Sequence, residues 1–92
     1  MAEQKIHDIN KVKVDGVEVS ISKARLEDIE TIEAMSDMQA GDALAIIPLF
    51  RKLFGDDYTR IKTELKGDNE TLSIEKMSEW FGAVLEELGA KN

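Results

Sequence analysis

Hydrophobic and polar positions repeat along this chain with two different periods. From Lys11 to Ile21 the period is two, and beyond Ser22 it is three to four. In the first stretch, Lys11-Val-Lys-Val-Asp-Gly-Val-Glu-Val-Ser-Ile21, the Asp15-Gly16 pair supplies two residues that tolerate positive φ. This predicts a two-residue hairpin turn pairing Val14 with Val17 and Val12 with Val19. All four valines then share one face with Ile21, while Lys13 lies opposite Glu18 on the other face. A two-stranded hairpin is marginal in water, so its valine face predicts helices packed beneath it. Its free edges either lid those helices or pair with another chain.

The clearest helical stretch is the last, Leu72 to Gly89. Ile74, Met77, Trp80, Phe81, Val84, Leu85 and Leu88 fall within an arc of roughly 140° at 100° per residue, with Glu75, Glu79 and Glu86 opposite. Ser73 is placed to cap the helix. Leu72 and Met77 occupy the positions of a hydrophobic staple, and Gly89 is a candidate terminator. Trp80 and Phe81 sit in mid-stripe, which fits core better than a binding hot spot.

Three more helices are expected between these ends. Ser22 can cap the first, where Leu26, Ile29, Ile32, Met35 and Met38 recur every third residue. A strict three-step stripe drifts around a helix of 3.6 residues per turn, so this helix either bends or touches different neighbours along its length. Gly41 ends it. Asp42 can cap a second helix, Ala43 to Phe54, whose apolar residues span roughly 160°. Pro48 either bends that helix or opens it as its first residue. Gly55 follows, Asp56 or Asp57 can cap a third helix with Tyr58, Ile61 and Leu65 inward, and Gly67 ends it. The expected architecture is a single α+β domain, predominantly helical, with an N-terminal β-hairpin followed by about four helices in a small bundle. Residues 1–9 form a flexible lead-in, 10–22 the hairpin and 23–89 the helical part.

Composition narrows the chemistry. The 92 residues suit one small domain, and the absence of cysteine excludes disulfides, thiol catalysis and cysteine-held zinc. The formal charge of −7 is unevenly spread. Residues 1–25 carry five basic and four acidic groups, and the remainder carries seven basic and fifteen acidic. Such an acidic body repels phosphate backbones and anionic membranes, which argues against nucleic acid and membrane as partners. No apolar run spans a bilayer, and the first ten residues lack the apolar segment of a signal peptide, so a cytoplasmic protein is expected.

Catalytic and ligand motifs are not legible. His7 is the only histidine, which rules out a two-histidine metal site. The acidic loop Gly67 to Glu75 fails as a calcium loop, because its first aspartate and central glycine are missing in either register. Asn69-Glu70-Thr71 is a chance glycosylation sequon. The Asp-Ser-Leu motif of acyl carrier proteins is absent. No enzyme activity and no cofactor are expected. The residues offered for binding another protein are Met35, Met38, Ile46, Ile47 and Phe50, methionine being an adaptable contact.

From about Val12 to Asn92 the pattern resembles the small tail assembly chaperones of long-tailed bacteriophages, particularly those of Gram-positive hosts. The resemblance rests on the hairpin leading into the acidic Ala24-Arg-Leu-Glu-Asp-Ile-Glu, on the apolar Ile46-Ile-Pro-Leu-Phe, and on the polar loop entering Leu72-Ser-Ile-Glu-Lys-Met-Ser-Glu-Trp-Phe, closed by Gly-Ala-Lys-Asn. It implies a non-catalytic, self-associating protein of the host cytoplasm. Its partners would be the tape measure protein and the tail tube protein, and a longer frameshifted form is often made. A structural adaptor, such as a head–tail connector or tail-completion protein, is the alternative.

Overall fold

A computed structural model describes residues 9–91. Strands β1 (Ile9–Val14) and β2 (Val17–Ser22) form one antiparallel hairpin. Val14 pairs with Val17, Val12 with Val19 and Lys13 with Glu18, as the alternation predicts. Asp15 at φ 54° and Gly16 at φ 80° make the turn that matches the right-handed twist of the strands. Val12, Val17, Val19 and Ile21 are buried, so the valine face is the roof of the core. The strand begins at Ile9, one residue inside the expected lead-in, because Ile9 still pairs with Ser22. The remainder of that lead-in, with His7, lies outside the described residues.

Four helices of two or more turns follow among the described residues: α1 (Ile29–Gln39), α2 (Ile46–Phe54), α3 (Tyr58–Lys66) and α4 (Ile74–Lys91). The fold is thus the predominantly helical α+β arrangement expected. The first helix departs from expectation by breaking. Ser22 caps a single turn, Lys23–Leu26, through Arg25 N–H, and the chain then restarts at Asp28. The Asp28 carboxylate accepts from Glu30 N–H at 3.1 Å and is the true cap of α1. The break resolves the drifting stripe. Half-buried Leu26 belongs to the first turn, while α1 turns Thr31, Ala34, Met35 and Met38 toward the core and leaves Ile29 and Ile32 outside.

Two expected caps are not made. Asp42 gives no side-chain hydrogen bond, because a 3-10 turn, Ala43–Ala45, comes between it and α2. Asp57 likewise caps nothing, since its carboxylate is held by Arg60 at 2.6 and 2.7 Å. Pro48 is neither a mid-helix bend nor the first residue. It is the third residue of α2, in the turn whose N–H groups have no partner within an α-helix, so its missing donor costs little. The end of α2 is capped from a distance, with Arg25 Nη1 donating to the Lys52 and Leu53 carbonyls at 3.4 and 3.5 Å. Gly55 and Gly67 close α2 and α3 at φ 56° and 57°, a conformation that costs other residues energy.

Helix α4 starts as expected, with Ser73 Oγ accepting from Lys76 N–H at 3.0 Å. Gly89 does not end it, for the helix continues to Lys91 and Gly89 keeps a negative φ. The core gathers around Phe50, whose ring meets those of Phe54, Tyr58, Trp80 and Phe81 at centroid distances of 5.2 to 5.9 Å, all edge-on. Trp80 joins the two ends of the chain, its Nε1–H donating to the Val14 carbonyl at 3.0 Å.

Candidate protein-interaction surface

Because α1 is set by Asp28 and not by its apolar stripe, part of that stripe is left facing outward. Ile29 is 63% exposed and Ile32 45%. One further step along the stripe, Met35 and Met38 are half-buried and line an open groove of about 230 Å³ between α1 and α4. Gln39 completes the α1 side, and Ser78, Phe81, Gly82 and Leu85 form the α4 side. Gly82 leaves this groove open, for a Cβ built there meets nothing within 4 Å.

The five residues expected to bind a partner are therefore separated. Met35 and Met38 lie together in the groove. Ile47 is half-buried against the core. Ile46 and Phe50 are fully enclosed and present no surface to a partner in this conformation. Sequence reasoning missed Gly82, Leu85 and the exposed pair Ile29 and Ile32. Their signals were a glycine in mid-helix and a stripe whose period is too short for one buried face. Phe81 was assigned to the core, where it is 3% exposed, yet it also lines the groove.

Charge around this surface is one-sided. Helix α1 contains Glu30, Glu33 and Asp37 and no basic residue, and α4 adds Glu75, Glu79, Glu86 and Glu87. Lys52, from α2, bonds Glu30 at 2.8 Å and approaches Asp28 at 3.9 Å. The hydrogen bond to Glu30 raises the Lys52 pKa. Arg60 ties α3 to the hairpin, bonding Asp57, Glu64 and the Glu18 carbonyl, the last at 2.7 Å. Its guanidinium holds the Asp57 carboxyl below the usual carboxylate range.

A larger concavity, about 690 Å³, lies between β2, the first helical turn and the end of α2. Its charged groups, Arg25 and Asp57, are already engaged within the fold. Among the described residues no three His, Cys, Asp or Glu side chains converge as metal ligands, and no helix is long and apolar enough to cross a membrane. The candidate surface is an open apolar groove between two acidic helices. No family model, curated protein or solved structure matches this chain.

Proposed function

We propose that this protein is a non-catalytic tail assembly chaperone of a long-tailed bacteriophage, which holds the tape measure protein in the host cytoplasm and assists assembly of the tail tube. The observation that carries it is apolar surface left over after the core is complete: the outward Ile29 and Ile32, leading into the methionine-lined groove. A contiguous apolar strip on so small a domain marks an interaction site. The acidic remainder keeps the complex of chaperone and client soluble. The sequence pattern from Val12 to Asn92 supports the same reading.

In this role the protein has no reaction to perform. A long helical client exposes apolar faces before the tube closes around it. Many copies, each covering one segment of that face, delay its aggregation until tube subunits replace them. Self-association of the copies belongs to the same proposal.

Co-expression with the tape measure protein of the same genome tests it. Soluble tape measure yield rises with this chain present, and an unchanged yield refutes the role. Mass spectrometry of purified virions separates it from a structural adaptor, which stays in the particle while a chaperone leaves.

A further inference from the structure

The groove between α1 and α4 has a defined chemistry. Its floor is apolar, formed by Met35, Met38, Phe81 and Leu85, and its lining contains no charged residue. Counted around α4, Glu75, Glu86 and Glu79 lie roughly 20 to 60° beyond Gly82, forming an acidic rim. Lys76 lies roughly 120° from Gly82, on the far side. Around α1, Ile32 and Ile29 extend the floor outward in steps of about 60°, and Glu33 stands roughly 40° beyond them. The three rim glutamates of α4 and Glu33 are all exposed. Among the described residues none of the four is paired in a salt bridge, while Glu30, farther round α1, is neutralised by Lys52.

We propose that this groove receives one amphipathic helix of a partner protein, with its apolar stripe on the floor and lysines or arginines on both flanks against the rims. This rests on the chaperone reading and specifies which part of a client is held. A helix fits better than a strand. It satisfies its own backbone, whereas an extended segment lying on two helices leaves its N–H and C=O groups without partners. The 11 residues of α1 make a seat about 16 Å long, two to three turns of the occupant. A second copy of this chain is the wrong occupant. Two α1 helices face to face bring Glu33 and Asp37 against their own kind.

The test uses the full chain and two synthetic helical peptides of equal length. Both carry leucines at helical spacing, one with lysine flanks and the other with glutamate flanks. Calorimetry at low and physiological salt gives affinities, and amide chemical shifts locate the contact. The lysine peptide binds at least about tenfold tighter, loses affinity with salt, and moves Met35, Met38, Phe81 and Leu85. Gly82→Arg fills the groove and adds a like charge, weakening that peptide by about tenfold or more, while Gly82→Ala retains it. Should Gly82→Arg fail to fold, the triple variant Glu75→Lys, Glu79→Lys, Glu86→Lys provides the same test by reversing the preference between peptides. Equal binding of the two peptides, no binding of either, or shifts elsewhere overturns the assignment. So does self-association that moves the same four residues. Failure here is separable from failure of the function. Client solubilisation that survives Gly82→Arg sinks the groove and spares the chaperone, whereas peptide binding without client solubilisation does the reverse.

Discussion

Replacing Trp80 by phenylalanine tests how the two ends of the chain are joined. Trp80 is 2% exposed, its Nε1–H donates to the Val14 carbonyl at 3.0 Å, and its ring packs 5.8 Å from Phe50 and 6.1 Å from Phe54. The substitution keeps an aromatic ring but removes the donor. The hydrogen bond contributes about 1 kcal/mol. The smaller ring withdraws ~40 Å² of buried apolar surface, roughly 1 kcal/mol of transfer free energy. It also leaves ~40 Å³ unfilled, roughly another 1 kcal/mol if the surroundings do not collapse. The expected loss is therefore about 3 kcal/mol, against a total of about 5 to 14 kcal/mol for a chain of this length. At ~4 to 8 °C per kcal/mol the midpoint falls by about 12 to 24 °C. Urea and thermal melts followed by far-ultraviolet dichroism measure this without relying on the fluorescence that the substitution removes. In the parent protein the indole N–H exchanges slowly with solvent. A loss below about 1 kcal/mol, or an indole proton exchanging freely, refutes the link between α4 and the hairpin.

Three further outcomes are expected. Thr31 is fully buried with its Oγ1 unpartnered, so the isosteric Thr31→Val raises stability by about 1 kcal/mol in a urea melt; a loss of that size would mean the hydroxyl has a partner. Asp28→Ala costs about 1 kcal/mol because it uncaps α1, whereas Asp42→Ala, at a position that caps nothing, changes the same melt by less than about 0.5 kcal/mol. Asp57 contributes stability above the ordinary carboxylate range, and the contribution disappears as pH falls through its lowered folded-state pKa. The stability difference between parent and Asp57→Asn is accordingly constant near neutrality and shrinks below about pH 4. The side chain is 44% exposed, which limits that difference to about 1 kcal/mol or less, and a pH-independent difference removes the Arg60 pairing as its cause.

The elements readable in advance were those whose signals are local and mutually consistent. Asp15-Gly16 fixed the hairpin register because one turn type satisfies both residues and the alternation around them. Helix α4 carried its cap, its stripe and its polar face together. The rest was decided by competition that composition does not display. Asp28 outbid the continuous stripe from Leu26 to Met38, since a side-chain cap can restart a helix in any phase. Asp57 had two possible partners and took Arg60 instead of an orphan N–H. Gly89 had the chemistry of a terminator, yet a glycine ends a helix only where the backbone takes up positive φ. The candidate surface was half legible for a related reason. Apolar character nominated Met35, Met38, Ile46 and Phe50 alike, and only the assembled core separates those enclosed from those left at its margin.

The bond from Trp80 to Val14 spans 66 positions of the chain. It also imposes an order on birth at the ribosome. The ribbon is made first, but the indole that locks it emerges only with α4, so the hairpin cannot lock in place before that helix is made. The β1 face that packs on α4 stays uncovered until that helix has been made. A premature stop before α4 therefore leaves an adhesive fragment and not a smaller working protein.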